Sequence, residues 1–168
     1  MDNEKSTDPE KEESSQMPIA EQAKQICLKL ISFFPLLDTP RVHSREDKDE
    51  VILEIEGDKS GILIGKHGQT LLALEFVLSR IIQHQTNSSK HIFLDCEGYR
   101  KRRRIMLEHL ARETADEVAE TRMPVGLGPM SSDERKIIHM TLKDHPQVFS
   151  ESEDLPPNRQ VVIKPRQP

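Results

Sequence analysis

The chain has 168 residues, of which 35% are hydrophobic and 32% are charged, and its formal net charge is −5. That length suffices for one ordinary domain or two small ones, and the absence of an apolar run of about 18 residues excludes a transmembrane helix. Because the start of the chain has neither a basic nor an apolar segment, we expect no signal peptide. Two distant cysteines are typical of reduced thiols in the cytoplasm.

Charged residues are distributed unevenly along the chain. Residues 1–16 carry six acidic and two basic side chains and nothing more apolar than Met1, which predicts a disordered acidic tail. Residues 59–112 carry ten Lys and Arg but only four Asp and Glu. The negative net charge therefore does not exclude a nucleic-acid partner, because the middle of the chain is locally basic.

Hydrophobic spacing predicts the elements of the first half. A helical repeat begins at Ile19 and Pro35 marks its end. Two strand-like segments follow, separated by a polar turn, and apolar residues alternate in the second of them. A short apolar stretch then leads into a Gly-x-x-Gly segment, a strong helical repeat and a further strand. In chain order we predict a helix over 19–34, strands over 41–46 and 50–57, a short helix over 60–64, a helix over 69–85 and a strand over 91–96.

The second half begins with a long helical repeat that Pro124 terminates, with Met106 and Leu110 on one of its two apolar stripes. Ser131 and Glu134 have the spacing of a capping box at the start of another helix. The whole order indicates the α+β class, with two small units that meet near residue 98. We predict a helix over 99–122, a strand over 125–127, a helix from the capping box to about 143, and strands over 148–152 and 159–164.

The segment Gly65-Lys66-His67-Gly68 is the first candidate binding site. Two glycines let a ligand approach the backbone without obstruction by Cβ atoms, and the N–H groups that start the next helix favour an anion. Lys66 and His67 add positive charge for phosphates. The alternative is a tight helix–helix turn that binds nothing.

This part of the chain, residues 17–97, resembles a KH domain of the second type, whose order is helix, strand, strand, helix, helix, strand. A KH domain clamps about four nucleotides of a single strand with its Gly-x-x-Gly loop. The resemblance implies that the four loop residues hold the sugar-phosphate backbone. Ile64 and Leu72 would form the floor of the adjoining groove, unless they belong to the core. Since the chain has no Trp and one Tyr, we do not expect stacking on those residues to be the main mode of base binding.

Arg135 and His139 form the second candidate site, because a spacing of four on a helix points both side chains the same way. With Ile138 and Leu142 facing the core, the pair would face outward. A guanidinium beside an imidazole suits a phosphate, more so if His139 is protonated. Taken alone, the pair is a weak signal, because Arg-x-x-x-His is common by accident on amphipathic helices.

The run from Met130 to His139, followed by residues 159–165, resembles an R-three-H domain, which is named for its Arg-x-x-x-His pair and binds single-stranded nucleic acid. This resemblance covers residues 98–168. The two domains in tandem resemble the Jag (sporulation-associated) family of bacterial RNA-binding proteins, and Glu97-Gly98-Tyr99-Arg100 matches that family's pattern at the junction. Many members carry a further N-terminal Jag domain, and functions that depend on it are not implied.

Five consecutive basic residues begin at Arg100. They wrap more than one helical turn, so they cannot all contact one ligand. Arg104 has the spacing to pair with Glu108. Two or three of Arg100, Lys101, Arg103 and Arg104 are candidates for an accessory basic binding surface, and the alternative is a solvated helix face.

The sequence contains no His or Cys cluster with metal-ligand spacing and no nucleophile elbow, Walker loop or dinucleotide fingerprint. We therefore expect no enzyme, no metal and no cofactor, but a cytoplasmic protein that binds single-stranded RNA without membrane insertion or a small-molecule substrate. The family resemblance further implies post-transcriptional regulation linked to cell division, elongation or sporulation, and a small companion KH protein as partner. The alternatives are a scaffold that dimerises through its KH domain and a single-stranded DNA-binding protein.

Overall fold

The computed structural model describes residues 17–59 and 61–166, so the predicted acidic tail over 1–16 lies outside the described residues. The chain divides into two compact units, Met1–Tyr99 and Arg100–Pro168. Each unit has its own hydrophobic core and combines helices with one three-stranded sheet. The fold is therefore α+β, as the element order predicts.

Helix α1 covers Ile19–Ile31 and buries one apolar face in the core of the first unit. The prediction that it extends to residue 34 is wrong. The N–H groups of Phe33 and Phe34 bond to carbonyls three residues back, which tightens the last turn and ends the helix. Phe34 precedes Pro35, and a residue before proline disfavours the helical conformation.

The sheet of the first unit has the order β1-β2-β3, with β1 antiparallel to β2 and β2 parallel to β3. These strands cover Arg41–Glu46, Glu50–Glu56 and His91–Cys96, and β3 is an edge strand. Helix α1 and helix α2, Gln69–Thr86, contact the sheet and each other. The predicted alternation is confirmed, since the following strand residues are buried: Val51, Leu53, Ile55, Ile92, Leu94 and Cys96.

The predicted short helix over 60–64 is wrong. Its described residues form a single turn, which a hydrogen bond of 2.9 Å from the N–H of Gly65 to the carbonyl of Gly61 closes. Gly65 then adopts φ +70°, which takes the chain out of the helical conformation before a second turn can form. The carboxylate of Asp58 stabilises this turn by accepting the N–H groups of Gly61 at 3.1 Å and Leu63 at 2.9 Å.

The second unit packs two helices against an antiparallel sheet of order β4-β6-β5. Its first helix begins at Tyr99, the last residue of the first unit. The elements are α3 (Tyr99–Thr121), β4 (Val125–Pro129), α4 (Ser132–Thr141), β5 (Val148–Glu153) and β6 (Gln160–Pro165).

The two apolar stripes predicted for α3 differ in burial at the N-terminal end of the helix. Met106 and Leu110 are exposed, whereas Leu107, Ala111 and Ala115 are fully buried. Two alanines on the buried stripe leave room for close contact with the core, while the larger side chains of the neighbouring stripe stay at the surface. Both stripes have helical spacing, so the spacing does not distinguish them.

The capping box that begins α4 is confirmed. Ser131 Oγ accepts the N–H of Glu134 at 3.2 Å, and the carboxylate of Glu134 accepts the N–H of Ser131 at 2.9 Å. Helix α4 ends at Thr141, two residues before the predicted position. In the described ranges of both units, no helix combines the length and the apolar character needed to cross a membrane.

Candidate nucleic-acid interface

The Gly-x-x-Gly loop joins the single turn of the first unit to α2. Lys66, His67 and Gly68 form one 3-10 turn, in which His67 is in the left-handed region at φ 54° and ψ 30°. The side chains of Lys66 and His67 are exposed. Within the described residues, neither these side chains nor the two backbone N–H groups form a hydrogen bond. The loop therefore presents N–H donors and a positive charge to an anion.

Both glycines of the loop are required by close contacts. A Cβ at Gly68, which has φ +77°, would lie 2.6 Å from Cε1 of Tyr99, and a Cβ at Gly65 would collide with the side chain of Thr70. The ring of Tyr99 packs against the core of the first unit and lies directly against the loop backbone. Sequence reasoning missed this support, although Tyr99 follows the end of β3 and belongs to the junction pattern quoted above.

A groove of about 500 Å³ begins one helical turn after the loop, between α2 and the start of β3. Leu72 and Phe76 lie on the stripe of α2 that lines the groove, and Lys90 and His91 line it from the β3 side. Leu72 is thus a groove residue as predicted. Ile64 is half-buried and packs against the core instead.

Phe76 and Arg80 add a feature that sequence reasoning missed. Phe76 is 60% exposed, and the guanidinium carbon of Arg80 lies 5.2 Å from the centroid of its ring, at cation–π distance. The expectation that aromatic stacking is minor considered only Trp and Tyr, and an exposed Phe ring in a groove offers the same surface. Phe76 and Arg80 are four residues apart and outside the core stripe of α2, and this spacing could have indicated their contact.

Lys90 is held at the far end of the groove by the β1–β2 turn. Its Nζ donates to Glu46 at 2.7 Å and to the carbonyl of Asp47 at 2.8 Å. The hydrogen bond from Lys90, together with one from the N–H of Ala20, holds the pKa of Glu46 below its ordinary value. The groove therefore has a fixed cation at its end.

In the second unit, Arg135 and His139 lie side by side on α4 and contact β5. Nη1 of Arg135 donates to Ser152 Oγ at 3.0 Å, while Nδ1 and Nε2 of His139 hydrogen-bond Ser150 Oγ at 2.7 Å and Ser152 Oγ at 2.9 Å. Both side chains are half-buried, so the expectation that the pair simply faces outward is corrected. Sequence reasoning missed the two serines, whose alternate positions on one strand face were the only signal.

The charge of this cluster belongs to Arg135. Burial lowers the pKa of His139, and the neighbouring guanidinium lowers it further, which favours the neutral imidazole. The surroundings of His139 thus oppose the protonated imidazole that would strengthen phosphate binding. Nε of Arg135 is buried and has no hydrogen-bond partner among the described residues.

The basic residues at the start of α3 differ in burial and in their ion-pair partners. Nε of Arg103 donates to Oε1 of Glu134 at 2.7 Å, with side-chain exposures of only 18% and 11%, so Arg103 connects α3 to the capping box. Arg103 is thus engaged inside the second unit, against the expectation of an accessory surface. Arg104 lies 3.9 Å from Glu108, as its spacing predicts, and Lys101 is exposed. Arg100 is half-buried.

Among residues 17–59 and 61–166, no three His, Cys, Asp or Glu side chains are placed to hold a metal ion. Burial raises the pKa of the Cys27 thiol to about 12, so this thiol stays protonated and unreactive. The arrangement of the loop, groove and α4 cluster suits non-covalent binding of phosphates and bases.

Two domain families match the chain in sequence. The KH domain of the KhpA/KhpB type matches residues 33–92, which include the Gly-x-x-Gly loop and the lining of the groove. The R-three-H domain matches residues 105–165, which include Arg135, His139 and their two serine partners.

Relatives named RNA-binding protein KhpB also match the chain. The relative from Clostridium symbiosum is 38% identical over 122 residues, which are 73% of this chain and 55% of the relative. The relative from Bacillus subtilis is 40% identical over 121 residues, or 71% and 58% of the two chains. The relative from Lactiplantibacillus plantarum is 41% identical over 111 residues, or 66% and 34%. The matched region is less than two thirds of the length of each relative.

Proposed function

The chain belongs to the Jag family, in which a KH domain of the KhpA/KhpB type is joined to an R-three-H domain, and on this premise we propose that it binds single-stranded RNA. The Gly-x-x-Gly loop carries the proposal. The N–H groups of Lys66 and His67 have no hydrogen-bond partner among the described residues, and both side chains are exposed. They lie one helical turn before a groove to which Leu72 and Phe76 contribute apolar surface. A phosphate donor set next to a base-sized groove is what a single strand requires.

Each part of this unit has a role in the binding mechanism. A phosphate accepts hydrogen bonds from the loop N–H groups and is neutralised by Lys66, while the adjoining bases turn into the groove. One base stacks on Phe76, with Arg80 on the ring as a second cation. Because stacking and phosphate contacts are largely indifferent to sequence, these contacts supply affinity rather than choice of base.

The α4 cluster supplies a second phosphate site in this proposal. Arg135 is its cation, and the hydroxyls of Ser150 and Ser152 can rotate from His139 toward a bound phosphate. The buried Nε of Arg135, which lacks a partner among the described residues, supports a role beyond packing because such donors are rarely left unbonded.

The wider role follows from the family. We propose a non-enzymatic, cytoplasmic, post-transcriptional regulator that pairs with a small companion KH protein and acts in cell division, elongation or sporulation. The relatives are named RNA-binding proteins, which supports the first step, RNA binding. The regulatory role and the companion protein are proposals about a whole protein, whereas the matched region is 55% of one relative and 34% of another.

The double substitution Lys66→Asp with His67→Asp tests the proposal. It reverses the charge of the loop, and we expect affinity for short single-stranded RNA to fall at least tenfold with a shallower salt dependence. The matched control is Lys48→Asp with His43→Asp, which makes the same charge change at exposed positions on β1 and its turn. If the loop variant binds as the control does, the loop mechanism is refuted.

Two further comparisons separate the alternatives. Arg135→Ala with His139→Ala tests the second site, and unchanged affinity would reduce it to a structural cluster. Binding to DNA of the same sequence distinguishes an RNA-binding from a DNA-binding protein, since only RNA has the 2′-hydroxyl. A chain that binds neither nucleic acid but dimerises would support the scaffold alternative.

A further inference from the structure

A carboxylate lies inside the groove, where a nucleic-acid site ordinarily avoids negative charge. Among the described residues that line the groove, Glu75 is the one acid. It is half-buried, and its Oε2 accepts the N–H of Leu94 on β3 at 2.8 Å. Leu72 and Phe76, its neighbours on the same stripe of α2, contribute apolar surface to the groove beside it. This position strengthens any hydrogen bond that the carboxylate makes to a base.

The bond to Leu94 changes what β3 presents to a ligand. As an edge strand, β3 turns the N–H of Leu94 away from β2 and toward the groove. That N–H would otherwise be a donor for a base. An ionised carboxylate only accepts hydrogen bonds, so Glu75 replaces a donor at this point of the edge by an acceptor.

From this replacement we infer that Glu75 makes the groove prefer bases with an exocyclic amino group, and cytosine over uracil in particular. The two pyrimidines have the same size, but cytosine carries an amino donor at the position where uracil carries a carbonyl acceptor. A carboxylate accepts from the cytosine amino group and repels the uracil carbonyl. Glu75 lies about 10 Å along α2 from Gly68, within reach of a strand whose phosphate is on the loop.

The inference rests on the proposed function, because it concerns the bases of a strand held by the same loop and groove. The experiment measures affinities of the full chain for oligocytidine and oligouridine of about eight nucleotides, twice the length a KH domain covers. We expect the wild type to bind oligocytidine about tenfold more tightly. Glu75→Gln keeps the shape and can still accept the Leu94 N–H, but its amide also donates, so the ratio should fall to about twofold or less.

The matched control is Glu54→Gln, which removes the same charge from an exposed position on β2, on the sheet face opposite the core. It should leave the cytosine-to-uracil ratio unchanged. If the wild type binds both oligonucleotides equally, or if Glu75→Gln keeps the wild-type ratio, the inference is wrong while RNA binding stands. If the wild type binds neither, the proposed function is refuted and the inference with it. If the Glu75→Gln variant folds poorly, the cytosine-to-uracil affinity ratio of the wild type alone still tests the inference.

Discussion

Adding one methyl group at Gly68 tests how firmly the Gly-x-x-Gly loop is held in place. Gly68 has φ +77°, and a Cβ built on it would lie 2.6 Å from Cε1 of the Tyr99 ring. Since Tyr99 packs against the core of the first unit, the ring cannot move away without disturbing that core. The Gly68→Ala variant therefore combines an unfavourable backbone conformation with a steric collision.

The two contributions can be estimated separately. The left-handed conformation costs about 1–2 kcal/mol for a residue with a side chain. Overpacking against a fixed neighbour adds about 1–3 kcal/mol. Gly68→Ala should thus destabilise the first unit by about 2–5 kcal/mol. Gly61→Ala isolates the first contribution, because Gly61 has φ +69° but a Cβ there would meet nothing within 4 Å.

Native-state hydrogen exchange measures this difference for the first unit alone, through the buried amides of Val51 and Leu53. We expect Gly68→Ala to lower their protection clearly more than Gly61→Ala does. A Tyr99→Leu background should recover part of the loss by removing the ring atom that collides. Equal costs for the two alanine variants would refute the reasoning that the ring of Tyr99 positions the loop.

Three other substitutions give measurable effects on stability. Glu134→Ala removes a capping bond and the partner of Arg103, so urea unfolding of the second unit should show a loss of about 2–4 kcal/mol, and a loss below about 1 kcal/mol would contradict the packing described. The lowered pKa of His139 means that the unfolded chain binds its proton more readily, so wild-type stability should fall from pH 7 to pH 5 more steeply than that of His139→Gln. Because the pKa of Glu46 is lower in the folded protein than in the unfolded chain, this carboxylate stabilises the fold at pH values above its unfolded-state pKa. That stabilisation is lost as the pH falls through its folded-state pKa. The deficit of Glu46→Gln, at most about 1 kcal/mol because its bond to Lys90 is near the surface, should therefore be visible at pH 7 in thermal melts and vanish in acid.

The elements that sequence predicts well are those whose cause is local. Alternation of apolar residues predicts β2 and β3 to within a residue, because one face of each of these strands is buried. The spacing of Ser131 and Glu134 predicts the start of α4, because a capping box is made by residues three apart. The Gly-x-x-Gly loop is likewise visible in four consecutive residues.

What the sequence does not predict depends on partners that are distant along the chain. The choice between the two stripes of α3 is made by the surface on which the helix packs. The partners of His139 are 11 and 13 residues away on β5, and Glu75 meets Leu94 from 19 residues away. Arg103, counted with its basic neighbours as one run, bonds Glu134 across 31 residues. No local pattern indicates such pairs.

Two carboxylates that accept N–H groups of β3 also oppose aggregation at this edge of the sheet. Leu94 donates its outward N–H to Glu75, and Cys96 donates its N–H to Asp95 at 2.9 Å. An edge strand with unbonded N–H groups is a template on which a second molecule can add a strand and begin to aggregate. Two acids on this edge oppose such pairing through both the bonds they accept and the charge they carry. A dimer that extends the sheet across β3 would have to displace both acids, so self-association by strand addition is disfavoured at this edge.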